Sequence, residues 1–311
     1  MNAQTTRVVL FLIAVLMVVA SSGFGALLLL GARVSGRPAP VSRLRTISFV
    51  LLGFGICCFG YALFIEADWL EVTHVTVQTQ KWPAGKALRI AHLSDLHVDR
   101  QSRALSRISE ELRDAKVDLI VFTGDSLNQA QSAPVFRSIL GGLPSRLGRL
   151  AVRGNHDVYR WGKIDLFGGG IATELISDAP LLLENGTLAV CGAPFRATEG
   201  VENCLSTAPA DAFVLFAYHS PDLVESLPAE PDLYLAGHTH GGQVAMPLYG
   251  ALVTMSNFDK KYEAGRYQFG KTTLYVNRGI GFEPHMPRVR FFARPELTII
   301  DVVGTGKVRA R

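Results

Sequence analysis

The chain has 311 residues, 48% of them hydrophobic and 19% charged, with a mean hydropathy of +0.23. That balance excludes a disordered chain, which needs low hydrophobicity and high net charge, and four cysteines are too few to staple a chain of this length. The net charge of +4 comes from the first 65 residues, which hold Arg7, Arg33, Arg37, Arg43 and Arg45 and no acid; the balanced remainder gives no electrostatic reason to expect nucleic acid as a partner.

Val8 to Ala32 and Thr46 to Ile65 are uncharged and apolar. Each is about the 20 residues a helix needs to cross a bilayer. Gly23, Gly25, Gly53, Gly55 and Gly60 would be costly in a soluble helix but are common in membrane helices. The bland alternatives are a cleaved signal peptide for the first run and a buried core helix for the second. The first is long for a signal peptide and lacks a clear small-residue cleavage site. The expectation is a membrane anchor over residues 1–66, with transmembrane helices at about 8–32 and 46–65, followed by a soluble domain over 67–311. Arg33 to Arg45 carries four arginines, and Glu66, Asp68 and Glu71 follow the second run. The positive-inside rule puts that loop in the cytoplasm and the soluble domain on the extracytoplasmic side. Cys57 and Cys58 are apolar fillers within the anchor. Cys191 and Cys204 could bridge if the domain is exported, although spacing alone does not bring them together.

Beyond the anchor, Glu71 to Gln78 is an entering strand and Leu88 to Leu93 a short apolar one ending at Ser94-Asp95. Arg103 to Lys116 places Leu105, Ile108, Leu112 and Ala115 at helical spacing. Val117 to Phe122 is a strand ending at Gly124-Asp125. A weaker helix covers Val135 to Leu140, and Leu150 to Val152 leads into Gly154-Asn155-His156-Asp157. Further strands fall at Leu181–Glu184, Leu188–Cys191, Ala212–Tyr218, Leu233–Ala236, Thr273–Asn277 and Leu297–Val302. Strands alternating with helices predict an α/β domain.

Asp95, Asp125, Asn155, His219 and His238 each follow an apolar strand. The carboxyl ends of strands are where α/β sheets bind ligands. Alternate residues of an extended segment share a face, so Asp95 can pair with His97, and His238 with His240. Imidazole with carboxylate and amide oxygen suits Mn, Fe or Zn rather than Ca. The number of donors exceeds one ion's needs and argues for two ions roughly 3.5–4 Å apart. Singly, each motif is weak: Gly-Asn-His-Asp is a good turn sequence, and a lone His219 would be a core histidine. Their joint order is the signal.

These five blocks, Asp-x-His, Gly-Asp, Gly-Asn-His-Asp, a lone His and Gly-His-Thr-His, resemble the calcineurin-like metallophosphoesterase superfamily over residues 88 to 302. Ser94-Asp95-Leu96-His97, Gly237 to Gln243 and Tyr275-Val276-Asn277-Arg278-Gly279 are similar to its membrane-associated bacterial branch, which includes exported phosphodiesterases and a UDP-2,3-diacylglucosamine pyrophosphatase of lipid A synthesis. The resemblance implies two packed mixed β-sheets flanked by helices and two divalent transition-metal ions (Mn, Fe or Zn). It implies that Asp95, His97 and His240 bind one ion, that Asn155, His219 and His238 bind the other, and that Asp125 bridges them. His156 would act on the phosphoryl oxygens or the leaving group, oriented by Asp157. The implied activity is hydrolysis of a phosphodiester or pyrophosphate at a bacterial inner membrane, with a phosphate-ester or lipid-linked substrate and the bilayer as partners. A metal-binding scaffold without catalysis is the alternative from another class. The sequence does not specify an oligomeric state.

His92 points away from the Asp95 face and is expected in the core, and His74 has no partner that the sequence can name. His285, Arg288 and Arg290 could reach substrate phosphate or form a surface loop. Phe282, Met286, Phe291 and Phe292 could form an apolar lip or simply pack in the core.

Overall fold

In a computed structural model of the chain, residues 3–38, 42–99, 102–176, 178–284 and 287–306 are described. Two compact units separate along the chain, Met1–Ile65 and Glu66–Arg311.

The first unit is a pair of helices, α1 (Ala3–Val34) and α2 (Arg43–Phe64), each long and apolar enough to cross a bilayer. Their sides are mostly exposed, as expected of a surface suited to lipid. Small residues let the helices approach. Ser21 Oγ donates to Ser48 Oγ at 2.8 Å, Ser22 Oγ donates to the Ser48 carbonyl at 3.0 Å, and Gly25 faces the Arg45 side-chain stem. Small side chains and interhelical hydroxyl bonds are how apolar helices associate without a hydrophobic driving force.

The second unit runs β1 (Glu71–Pro83), β2 (Ala87–Leu93), α3 (Arg103–Ala115), β3 (Leu119–Phe122), α4 (Ala133–Gly142), β4 (Arg149–Ala151), α5 (Asn155–Tyr159), β5 (Thr173–Glu174), β6 (Leu181–Leu183), β7 (Leu188–Gly192), α6 (Val201–Ser206), β8 (Phe213–Ala217), β9 (Leu233–Ala236), β10 (Ala245–Met246), β11 (Gly250–Ala251), β12 (Gly265–Phe269), β13 (Thr272–Val276) and β14 (Glu296–Gly306). Twelve of the strands form two mixed six-stranded sheets, ordered β1-β14-β2-β3-β4-β5 and β12-β13-β9-β8-β7-β6, and β10 and β11 pair by themselves. In the first, β2, β3 and β4 are parallel neighbours; in the second, β7, β8, β9 and β13 are.

The central strands β3, β8 and β9 are apolar throughout because both faces are buried. Leu88, Ile90, Leu119 and Val121 meet Leu215, Leu233, Leu235 and Tyr275 in the layer between the sheets. The alternate residues Ala91, Leu93, Ile120 and Phe122 pack outward against Leu105, Ile108, Leu112, Phe136 and Leu140 of α3 and α4. Val214, Phe216, Tyr234 and Leu274 do the same on the outer face of the second sheet, with Cys204 and Leu205 of α6. Helix α3 begins at Ser102, whose hydroxyl accepts from the Leu105 N–H, and ends at Lys116 in the left-handed conformation. Cys191 on β7 and Cys204 on α6 form a disulfide.

Candidate metal centre

Parallel strands that share a direction must also share an end. The loops after β2, β3 and β4 therefore emerge side by side, and those after β8 and β9 face them across the sandwich. Asp95 and His97 follow β2, Asp125 follows β3, Asn155 opens α5 after β4, His219 follows β8, and His238 and His240 follow β9.

Backbone bonds lace these loops together. The Asp95 N–H donates to the Gly124 carbonyl, His97 N–H to Asp125 and Val98 N–H to Ser126, at 2.8, 3.0 and 2.9 Å. Between the sheets, His219 Nδ1 meets the Thr123 carbonyl at 2.7 Å. Two glycines make this closeness possible. A Cβ on Gly124 would lie 2.3 Å from the Gly154 nitrogen, and one on Gly237 would lie 1.8 Å from Ser94 Oγ and 2.2 Å from Asp95 Oδ2. Asp95, His97, Asp125, His238 and His240 all have positive φ. Five non-glycine residues in that region within one site mark a backbone bent to aim side chains.

Two sets of donors converge. Asp95, His97 and His240 offer one buried group, and Asp95, Asp125 and His219 another; in each set the ligand atoms lie within 4.8 Å of one another. Asp95 Oδ1 is 3.4 Å from His240 Nε2, and Asp125 Oδ2 is 3.3 Å from His219 Nε2 and 3.6 Å from His97 Nε2. His238 Nδ1 lies 3.1 Å from His219 Nε2, which is 2.9 Å from Asn155 Oδ1. Asp95 Oδ1 is buried without a hydrogen-bond partner, an orphan that a cation would satisfy. A carbonyl can only accept, so His219 donates from Nδ1 and its Nε2 faces the other donors. His97 does likewise: its Nδ1 donates to Asn128 Oδ1 at 2.8 Å, and Asn128 in turn donates from Nδ2 to the Phe282 carbonyl. The donors fit divalent transition ions in number and type.

The electrostatics follow from burial and proximity. Burial disfavours charge on Asp125, but His219, His97 and His156 outweigh it and hold its carboxyl well below the usual range. Burial likewise works against charge on His219, yet the Asp125 carboxylate pushes it up to about 9. Burial and the neighbouring His219 push His238 down to about 3. Burial raises Asp95. These opposed shifts follow from burying carboxylates and imidazoles within a few ångströms of one another.

His156 sits at the rim with its ring centroid 5.0 Å from that of His97. Its partner differs from the one the sequence suggests. The Asp157 carboxylate does not orient the His156 ring. It accepts from the backbone N–H groups of Asp125, Ser126 and Gly154 at 2.8, 2.9 and 3.0 Å, pinning the β3 and β4 loops together. The carboxylate that meets the ring is Glu283, with Oε1 3.4 Å from Nε2. Asp157 lies one residue beyond His156 on α5, where neighbouring side chains diverge around the helix, so adjacency in sequence is a poor guide to contact. Neither Glu283 nor Asn128 stands in any of the five blocks. Asn128 follows Gly124-Asp125 closely enough to have been weighed, whereas nothing local distinguishes Glu283.

The other named residues separate clearly. His92 is fully buried, bonded to Thr123 Oγ1 at 2.9 Å and pushed down to about 3 by burial; it is a core residue. His74 is exposed on β1. Arg290 does not reach toward substrate: it is buried and donates to the carbonyls of His240, Arg278, Gly279, Gly281 and Ala293. Arg288 pairs with Asp99 at 3.4 Å. Of the expected apolar lip, Phe282 is buried, Phe291 half-buried and Phe292 exposed. His285 and Met286 lie outside the described residues.

A sandwich of two mixed sheets with clustered carboxylate, imidazole and amide donors at one rim is the framework of a metal-dependent phosphoester hydrolase. Residues 88–242 match the family described as calcineurin-like phosphoesterase. The chain is 31% identical to the uncharacterized metallophosphoesterase YkuE of Bacillus subtilis, covering 79% of this chain and 90% of that one. It is 30% identical to the phosphodiesterase YaeI of Escherichia coli, covering 79% and 93%. It is 26% identical to the UDP-2,3-diacylglucosamine pyrophosphatase LpxG of Chlamydia muridarum, covering 77% and 91%. The chain belongs to the calcineurin-like metallophosphoesterase family, and it is an enzyme of phosphoester hydrolysis rather than a metal-bound scaffold.

Proposed function

We propose that this chain is a membrane-anchored hydrolase with two divalent metal ions, cleaving a phosphodiester or pyrophosphate bond in an envelope or lipid-linked phosphate. Residues 1–66 would be the anchor and 67–311 the catalytic domain. Asp95, His97 and His240 would hold one ion, Asn155, His219 and His238 the other, with Asp125 between them. The observation that carries this reading is the pair of buried donor sets sharing Asp95 at one end of the sandwich.

Bound divalent ions supply a nucleophilic water at neutral pH and neutralise phosphoryl charge. The protein's part is to fix the donors. Asn128 and the Thr123 carbonyl hold the imidazoles of His97 and His219 with their Nε2 atoms inward. Asp157 holds the two loops that carry Asp125 and Asn155. His156, beside Glu283, is placed to donate a proton or a hydrogen bond to the phosphate or the leaving oxygen. Burial disfavours its charged form, but Glu283 and Asp125 outweigh burial and raise it, which suits an acid.

Placement of the domain on the extracytoplasmic side is supported by the arginine-rich turn between the apolar helices and by the Cys191–Cys204 disulfide, since disulfides persist in oxidising compartments. A second reading, hydrolysis of UDP-2,3-diacylglucosamine, is favoured by the similarity to LpxG. Its nucleotide substrate is cytosolic, so side decides between them. An alkaline phosphatase fused at the C-terminus is expected to be active; activity of a cytoplasm-only reporter instead would reverse the assignment. The chemistry is tested with full-length protein in detergent, loaded with Mn, against bis-p-nitrophenyl phosphate. Hydrolysis that is lost in Asp125→Ala is expected, and undiminished hydrolysis in an Asp125→Ala/His156→Ala double variant would refute the site.

A further inference from the structure

Among the large apolar side chains that the catalytic domain exposes, four stand on segments bonded to one another. Trp69 is 44% exposed, Phe292 58% and Tyr249 50%, and Leu248 at the β10–β11 tip is fully exposed. They are far apart in sequence yet structurally linked. The Glu66 carboxylate accepts from the Ala293 N–H at 2.8 Å, the Ala245 N–H donates to the Phe291 carbonyl at 2.8 Å, and β10 pairs with β11 across the tip. Gln243 joins the two loops again, accepting from the Glu283 N–H and donating to the Pro287 carbonyl. Cations accompany the aromatics. The Arg294 guanidinium lies 3.7 Å from the Trp69 ring centroid, and Lys260 Nζ lies 4.4 Å from that of Tyr249.

This edge lies at the metal-bearing end of the sandwich. Glu71 opens β1 opposite Glu296, and β14 runs antiparallel to β2, so the start of β1 lies beside the end of β2, where Asp95 follows. Gly279 packs against Asp95 Cβ, and Gly241 against the Arg278 stem. The chain thus enters the domain beside its donors, not at the far end of the sheets.

Chain length then limits where the edge can be. Helix α2 ends at Phe64, and five residues of even fully extended chain reach only about 18 Å to Trp69. If α2 spans a bilayer, Trp69 and the Phe292–Arg294 segment tied to Glu66 are held near that bilayer's surface. Tryptophan, tyrosine and arginine are the residues that interfaces favour, with rings among the headgroups and cations against lipid phosphate. An exposed leucine and phenylalanine complete an amphipathic rim of the kind that sits in the headgroup layer.

We propose that the edge formed by Trp69, Leu248, Tyr249, Phe292 and Arg294 docks onto the phospholipid headgroup layer, holding the metal-bearing end of the domain at the level of lipid phosphates. The proposal rests on the membrane-anchored reading and adds the face that meets the membrane and the substrate class it serves: phosphates presented by a bilayer rather than by solution.

The test uses the full chain in nanodiscs containing anionic phospholipid, with Cys57→Ser and Cys58→Ser so that one introduced cysteine can carry an environment-sensitive fluorophore. Probes at Leu248→Cys and Phe292→Cys are expected to shift to the blue and to be quenched by nitroxide-labelled lipid. A probe at Lys86→Cys, in the turn at the far end of β1, is expected to do neither. A probe at Leu28→Cys in α1 reports the anchor separately. Quenching at position 28 with aqueous signals at 248 and 292 overturns the docking edge and leaves the anchor standing. No quenching at 28 overturns both. Cross-linking between copies through Leu248→Cys that accounts for the shift assigns the edge to a second chain and also overturns the proposal. In activity, Leu248→Glu/Tyr249→Glu is expected to raise KM for a phosphodiester embedded in vesicles about tenfold, with kcat/KM for bis-p-nitrophenyl phosphate unchanged; equal effects on both substrates overturn it.

Discussion

Replacing Gly237 with alanine perturbs the metal centre without removing any donor. The new methyl would stand 1.8 Å from Ser94 Oγ, 2.7 Å from Ser94 Cβ and 2.2 Å from Asp95 Oδ2. Restoring even a 3.0 Å contact needs a retreat of about 1.2 Å by the serine oxygen and 0.8 Å by the carboxylate. Neither can retreat freely, since Ser94 and Asp95 are fully buried and Asp95 Oδ2 already accepts from the His238 N–H at 3.0 Å. Overpacking of this kind costs about 1–3 kcal/mol. In a domain of this size that lowers Tm by roughly 2–12 °C. The larger effect falls on function, because a misplacement near 1 Å costs about 100-fold in rate. Calorimetry, elemental analysis of bound metal and kcat/KM on bis-p-nitrophenyl phosphate, measured on one preparation, give the three readouts. Adding Ser94→Ala removes the worst contact but leaves the carboxylate clash, so recovery should be partial. A Gly237→Ala enzyme with full metal content and wild-type kcat/KM would show that the β2 and β9 loops are not packed as described.

Asp125→Ala is expected to be more damaging than His156→Ala in both metal content and turnover, because it removes the carboxylate proposed to stand between the two ions; equal metal loss in the two variants would contradict this. Asn128→Ala frees the His97 ring and should weaken metal affinity about 10–100-fold while leaving the fold intact by circular dichroism; unchanged affinity in a metal titration would remove Asn128 from the site. Reducing or deleting the Cys191–Cys204 bridge, 13 residues apart, should cost about 3 kcal/mol on the chain-entropy account, read as a lower urea midpoint. Burial opposes charge on Glu296, but Arg278 and the Tyr275 hydroxyl hold its carboxyl below the ordinary glutamate range. Its folded-state value is therefore depressed, so its contribution is complete above the unfolded value and fades as pH falls through the folded one. The stability gap between wild type and Glu296→Gln should accordingly be wide at pH 7 and close below about pH 4; a gap that widens on acidification would reverse the sign of this reasoning.

Much of this organisation can be read from residue order. The central strands β3, β8 and β9 are continuous apolar runs because both faces are covered, β2 is mostly so, and the donors stand just after them. The helix α3 is legible from Leu105, Ile108 and Leu112 on one face. What escapes is whatever depends on distant contact. Strands β5, β10 and β11 are two residues each and exist only through their partners. Helix α5 hides within a sequence that equally suits a turn. Glu283 reaches His156 across more than a hundred residues, and Asp157 spends both its oxygens on backbone amides. Sequence shows which residue types are present near a strand end; only packing decides which neighbour each one meets. The fate of Arg290, buried under five carbonyls, makes the same point: its charge suggests a phosphate, while its surroundings make it a fastener.

The order β1-β14-β2 has a consequence for biosynthesis. The strand β14 slots between the first two of the domain, so β1 and the outer edge of β2 lack a partner until β14 has been made. Asp95 hangs from β2, which gains its second sheet neighbour only then. A chain cut short of β14 is therefore expected to lack a competent centre, so hydrolytic power would arise late in synthesis, as a quality gate.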